Sequence, residues 1–214
     1  MGICQATLSL NFSSNISDMT QVFDKQKLSC LAGVDLSRKG SIDAPIVDLT
    51  QIINNHPDLF TLSSCSGRIV VLRESSESGV RKAGCDWLLV SHDHLGCDQV
   101  ISTLASRDTS VPGCVVIKFE PFVLHVQCRD LDMARSVVTA ASESGFRNSG
   151  LTVSRSGKIV AAVRSTHGLE TPVTDDQGHD MVSQEYVKLI IDKANQKLTE
   201  NIKRRDKFQA ALIW

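Results

Sequence analysis

Thr61-Leu62-Ser63-Ser64-Cys65-Ser66-Gly67-Arg68-Ile69-Val70-Val71-Leu72 is the stretch on which the reading of this 214-residue chain turns. Leu59-Phe60 leads into it as a short apolar run, small polar residues follow, and Ile69-Val70-Val71-Leu72 reads as a buried strand. Small side chains let backbone approach a bound group, glycine permits positive φ, and exposed N–H groups can form an anion nest. Arg68 adds a planar, permanently charged fork suited to a carboxylate or phosphate. The same residue types also build ordinary polar hairpin turns, so chemistry alone leaves both readings open.

Composition narrows the field. At 42% apolar the chain has enough hydrophobic residues for one core, or for two fused halves. Its formal net charge of −1 does not announce a nucleic-acid partner, so any RNA contact must come from local patches. Seven cysteines, odd in number and never spaced C-x-x-C, fit reduced thiols in a cytoplasmic protein better than a disulfide framework or structural zinc. No run approaches the roughly 18 apolar residues of a membrane span, and no signal-peptide pattern opens the chain. Met1-Gly2 is followed by Ala6 where a myristoylation signal wants Ser or Thr.

Residues 1–20 are expected to be a disordered N-terminal extension, with 1–17 polar and aperiodic, ahead of one domain over 21–214. A helix is expected over 18–31, with Met19, Val22, Phe23, Cys30 and Leu31 inward, and a second, opened by Ser41 or Asp43 with Pro45 in its first turn, up to about residue 55, followed by the key loop and strand. Residues 73–84 read as a hairpin connection and 85–90 as a buried strand. A short helix at 98–106 precedes strands at 115–120 and 122–128, which are separated by Pro121. Asp130 or Asp132 caps a helix that ends at Gly145. Strands 151–154 and 158–164 pair across Arg155-Ser156-Gly157, and the pattern from about 182 onward is one long helix with Tyr186, Leu189, Ile190, Leu198, Ile202, Phe208 and Leu212 apolar. Ser66-Gly67-Arg68-Ile69-Val70-Val71 and Ser156-Gly157-Lys158-Ile159-Val160-Ala161 echo one another after a helix and a strand, which suggests a unit used twice. Strands interleaved with helices argue for an α/β or α+β domain with a mixed sheet, and no G-x-G-x-x-G follows a strand.

Four blocks carry a resemblance. Ser63-Ser64-Cys65-Ser66-Gly67-Arg68-Ile69, Trp87-Leu88-Leu89-Val90-Ser91-His92, Phe119-Glu120-Pro121-Phe122-Val123-Leu124-His125-Val126 and Gly145-Phe146-Arg147-Asn148-Ser149-Gly150 occur in this order. Together the chain from about residue 22 resembles the tRNA wybutosine-synthesizing protein 3 family, with loop 107–114 longer than the family pattern. The resemblance implies an α+β, non-Rossmann fold with helices on a mixed sheet and a long C-terminal helix. It implies methyl transfer from S-adenosyl-L-methionine to the N4 position of a 4-demethylwyosine intermediate beside the anticodon of tRNA(Phe).

On that resemblance Ser63, Ser64, Cys65, Gly67, Arg68, Trp87, Arg147, Ser149 and Gly150 are candidates for the cofactor, and His125, His92 and Glu120 for catalysis. Methyl transfer from a sulfonium needs alignment and exclusion of water more than a protein nucleophile. Arg68 and Arg147 suit the donor's carboxylate or a tRNA phosphate. Taken by type alone, a lone strand histidine is more often structural, Trp87 suits either a stacking platform or a core, and Arg147 suits a surface ion pair. His92-Asp93-His94 with Cys97 lacks a fourth ligand, so no metal is expected. From Val187 onward seven cations face three carboxylates, a patch that suits the anticodon stem-loop or a solvated helix face. Two other classes stay open: a non-catalytic tRNA-binding partner, and a hydrolase using Cys65 with His92 or His125.

Overall fold

The structure is a computed structural model that describes residues 12–33, 40–74 and 85–212, with side chains from residue 21. The described strands form two four-stranded sheets, and every strand pairing within them is antiparallel. The first holds β1 (Leu59–Cys65), β5 (Val123–Cys128), β7 (Ile159–Val163) and β6 (Gly150–Val153) in that spatial order. The second holds β3 (Asp86–Ser91), β2 (Arg68–Glu74), β4 (Cys114–Glu120) and β8 (Leu169–Pro172). The α+β, non-Rossmann expectation holds, with two antiparallel sheets in place of one mixed sheet.

The chain passes between the sheets three times: through Ser66-Gly67 from β1 to β2, through Pro121-Phe122 from β4 to β5, and through 164–168 from β7 to β8. Gly67 has φ 91°, and a Cβ there would stand 2.7 Å from Asn201 Nδ2 and 3.1 Å from the Phe122 nitrogen. Only glycine combines that left-handed backbone with so close an approach.

Helix α2 (Val47–Asn55), entered through a 3-10 turn (Ala44–Ile46) with Pro45 inside it, buries Ile46, Leu49 and Ile53 against the first sheet. Helix α4 (Leu131–Glu143) starts at Asp130, whose carboxylate accepts from the Met133 N–H, and covers the same sheet with Ala134, Val137 and Ala141. The second sheet packs on α3 (Cys97–Ser106) through Val100 and Leu104. The long helix α5 (Gln184–Ala211), capped by Ser183, serves both halves. Its Ile191, Ala194 and Leu198 enter the core of the second sheet, while Phe208 joins Phe122 and Phe146 in the core of the first. Those three rings lie with centroids 5.2 to 6.4 Å apart, a spacing worth about 0.5–1.5 kcal/mol per pair beyond burial.

Several expectations are corrected. Helix α1 (Phe12–Ala32) begins before Asp18, so residues 12–20 of the extension expected to be disordered are helical, and residues 1–11 lie outside the described residues. Of its expected inward residues Phe23 is buried, against Phe60, whereas Val22, Cys30 and Leu31 are exposed, because α1 meets the body of the protein along a narrow strip of β1. Met19 falls among the side chains that are not described. Strand β3 is not buried but half-exposed, since it forms a sheet edge, and the connection 75–84 lies outside the described residues. Strand β8 was not foreseen: Leu169-Glu170-Thr171-Pro172 is too short and polar to register as a strand. Tyr186 and Leu189 are exposed on α5. The sequence echo is not a structural repeat, because β6 and β7 pair as a hairpin while β1 and β2 part into different sheets.

Candidate functional site

The small polar residues Thr61 to Cys65 are strand, not loop: β1 runs through Cys65, with a register irregularity between Thr61 and Ser63. Such bulges re-aim side chains and are frequent beside active sites. One row of residues crosses the first sheet, Ser63 opposite His125, His125 opposite Ala162, and Ala162 opposite Gly150. In the second sheet Arg68 stands opposite Glu120. These two rows meet where the chain crosses between sheets, around a cleft of about 710 Å³ lined by Ser63, Ser64, Cys65, Arg68, Glu120, His125, Lys118, Thr166 and Glu170.

A chain of hydrogen bonds orders one side of this cleft. Arg164 places its Nη2 3.0 Å from His125 Nε2, and His125 Nδ1 lies 2.9 Å from Ser63 Oγ. A guanidinium has no acceptor, so Arg164 donates, Nε2 accepts, and the imidazole proton sits on Nδ1 and is donated to Ser63. The Ser63 hydroxyl hydrogen is thereby left to a ligand. Burial, and then the Arg164 charge, push the His125 pKa below the ordinary histidine value, which keeps the ring neutral. Ser149 supports the chain from behind, since its hydroxyl accepts the Arg164 N–H at 3.2 Å and donates to the Phe146 carbonyl at 2.6 Å.

Across the cleft, Arg68 Nε donates to Glu120 Oε2 at 2.7 Å, and the guanidinium carbon lies 4.8 Å from the centre of the Trp87 ring. Trp87 therefore stacks on Arg68 and holds it toward Glu120. Lys118 bridges Glu74 at 2.7 Å and Glu170 at 3.0 Å. Burial works against its ammonium, but the two carboxylates outweigh that and hold its pKa above the usual lysine value. The cleft is electrically balanced: Arg68 and Lys118 face Glu120 and Glu170.

His92 serves the crossing beneath the cleft. Its Nδ1 lies 2.8 Å from Ser66 Oγ and 3.0 Å from the Gly67 carbonyl, and its Nε2 is 3.4 Å from Asp43 Oδ1. The other Asp43 oxygen accepts the Ser66 N–H at 2.9 Å, which is why this aspartate does not cap the helix it precedes. His94 bonds Thr199 and Cys97 sits near Lys188 and Asp192, so the H-x-H-x-x-C residues do not converge. Burial raises the Cys65 thiol pKa, only partly offset by the Gly67 backbone and Arg68, and His125 gives its Nδ1 to Ser63. Cys65 is therefore a poor nucleophile.

Of the sequence candidates, the structure brings together Ser63, Ser64, Cys65, Arg68, Glu120 and His125, with Trp87 and Ser149 one contact behind. Gly67 and His92 build the crossing, and Gly150 ends the strand row. Arg147 is separate: with Asn148 it lines a second cleft on the far side of the 164–168 crossing. Sequence reading assigned no role to Arg164 or Asn201, and to Asp43 only that of opening the helix before the key stretch. Arg164 opens the polar run Arg164-Ser165-Thr166-His167-Gly168, and Asn201 interrupts the apolar stripe of Ala194, Leu198 and Phe208 on α5.

Two antiparallel sheets exchanging strands under one long helix define a fold class shared with the PH1069 protein from Pyrococcus horikoshii. The TM-score is 0.80 at 25% identity, covering 91% of this chain and 97% of that one. Residues 24–213 match the family model described as Methyltransferase TYW3, and the chain belongs to that methyltransferase family. It is similar to the tRNA wybutosine-synthesizing protein 3 homologs of Homo sapiens, at 47% identity over 91% of this chain and 74% of the relative, and of Bos taurus, at 46% over the same shares. Among the described residues no helix is long and apolar enough to cross a membrane.

Proposed function

We propose that this chain methylates the N4 position of the 4-demethylwyosine intermediate beside the anticodon of tRNA(Phe), using S-adenosylmethionine held in the cleft between the two sheets. Membership of the methyltransferase family and the shared name of its relatives give the tRNA methyltransferase role in wybutosine biosynthesis. The observation that carries the site is the meeting of the Ser63–His125 row with the Arg68–Glu120 pair at the sheet crossings.

The residues present fit the donor. About 710 Å³ is ample for a nucleoside-sized ligand, and Arg68 and Glu120 offer one charge of each sign to a zwitterionic amino-acid end. The bound donor supplies a methyl group on a positively charged sulfur. The chain's own part is to hold and to exclude water. Arg68, fixed between Trp87 and Glu120, meets a carboxylate. Ser63, fed by the Arg164–His125 chain, donates its hydroxyl hydrogen to an acceptor on the ligand. Glu120 gives Oε2 to Arg68 and keeps Oε1 for a ligand ammonium or for the proton released from the acceptor nitrogen. His125 orients Ser63; its Nε2 lone pair is occupied by Arg164, so it does not act as the base.

The test is incubation of the purified protein with S-adenosylmethionine and tRNA(Phe) carrying the unmethylated intermediate, followed by nucleoside mass spectrometry. One methyl added to the tricyclic base is the expected result. Unchanged nucleoside in the presence of bound donor overturns the assignment.

A further inference from the structure

The second cleft, of about 660 Å³, lies between the end of α4 and helix α5, on the far side of the 164–168 crossing from Ser63 and His125. Its charge differs from that of the first. Arg147, Lys203, Arg204 and Lys207 face Glu143 and Glu200, four cations against two carboxylates. Two of the cations have structural partners. Arg204 bonds Glu200 at 2.8 Å and donates to the Gly145 carbonyl at 3.2 Å, while Lys207 donates to the Glu143 carbonyl at 2.7 Å. Lys207 thus satisfies the last carbonyl of α4, and Arg204 a carbonyl just past its end. The side chains of Arg147 and Lys203 make no ion pair or hydrogen bond among the described residues, although the Lys203 charge is felt by Glu200. His167 lies in the same cleft, its pKa lowered by burial and then by the charges of Arg204 and Lys197, which keeps that ring neutral.

A sulfonium donor, whose net charge is positive, is repelled by a net-positive site, whereas a chain of phosphates is attracted to it. The two clefts adjoin, since Thr166 on the crossing lines both. We propose that the Arg147–Lys203 cleft binds the phosphodiester backbone of the RNA substrate, placing Thr166 and the 164–168 crossing where the target base turns into the methyl-transfer cleft. The proposal rests on the tRNA methyltransferase reading. Phosphate contacts of this kind fix register without reading sequence, and the division of labour follows from charge: the balanced cleft takes donor and base, the positive one takes backbone.

The experiment measures tRNA(Phe) binding by fluorescence anisotropy over a salt series, for the full chain and for Arg147→Ala, Lys203→Ala and the double variant, with folding checked by circular dichroism. Each lost phosphate contact lowers the slope of log affinity against log salt by about 0.7–0.9, so the double variant loses about 1.4–1.8 of slope and on the order of 20-fold in affinity near 0.15 M salt. S-adenosylmethionine binding by calorimetry stays unchanged, and Arg147→Lys with Lys203→Arg restores most of the slope. An unchanged slope and affinity in the folded double variant overturn the proposal, as does wild-type tRNA binding that ignores salt. Either result with donor binding and methylation intact leaves the methyltransferase reading standing; failure of wild-type donor binding and methylation tells against that reading instead.

Discussion

Ser63 and His125 face each other across β1 and β5, and the 2.9 Å contact between Ser63 Oγ and His125 Nδ1 has a fixed direction because Arg164 already donates to Nε2. This makes the arrangement acid-sensitive. An imidazolium has no lone pair for Arg164, so protonation breaks the chain. The folded pKa lies below the ordinary value of about 6.5, so the unfolded chain takes the proton first as pH falls. The stability contributed by neutral His125 is thus fully present above about pH 6.5 and lost as pH falls through the lower folded pKa. Thermal melts at pH about 7.5 and about 5 should show a larger acid-induced drop for the wild type than for His125→Gln. Equal drops would contradict the assignment.

Asn201 ties two sheet crossings to α5, accepting the Phe122 N–H at 2.7 Å and donating to the Ser66 carbonyl at 2.9 Å. Asn201→Leu leaves both buried backbone groups unpaired and should cost about 2 to 5 kcal/mol in denaturant unfolding. Gly67→Ala should cost about 1 to 3 kcal/mol through its positive φ, and more through its collision with the Asn201 amide. In an Asn201→Ala background the collision disappears, so the two losses should sum to more than the double variant shows. Strict additivity would mean that the crossings are not held through this contact.

Much of this was legible in the residues and some was not. Helix α4 could be read because Asp130, the apolar spacing and Gly145 all act locally, and α2 and α3 for similar reasons. The split into two sheets could not, because Ser66-Gly67 looks like a hairpin turn whether its strands pair or part; the partners of β1 and β2 are settled by β5 and β4, 40 or more residues downstream. The polar run from Thr61 read as loop since serine is uncommon in strands, yet its exposed side chains face a cleft rather than a core. Arg68, Glu120 and His125 were named from motif blocks, and the structure places them together. Arg147 came from the same kind of signal and sits elsewhere, because adjacency to a motif does not fix which side of the 164–168 crossing a side chain occupies.

Cysteine reactivity separates methyl transfer from thiol chemistry. Cys30 is exposed, burial raises the Cys65 thiol, and burial pushes Cys128 up to about 12. Iodoacetamide labelling at neutral pH, followed by peptide mass mapping, should among the described cysteines modify Cys30 first and Cys128 last, with Cys65 slow. Preferential labelling of Cys65 with loss of turnover would point to a nucleophilic thiol.

The central claim is that the methyl donor binds where the two sheets cross. Its most direct test is calorimetric titration with S-adenosylmethionine of the wild type, Arg68→Ala and Ser63→Ala, each with folding checked by circular dichroism. Saturable wild-type binding should fall about 10- to 150-fold in Arg68→Ala, the worth of one charge-assisted hydrogen bond, and by less in Ser63→Ala. The fold should persist, since a partly exposed ion pair such as Arg68–Glu120 contributes only about 0.2–1 kcal/mol. Undiminished donor binding by both folded variants would contradict the account.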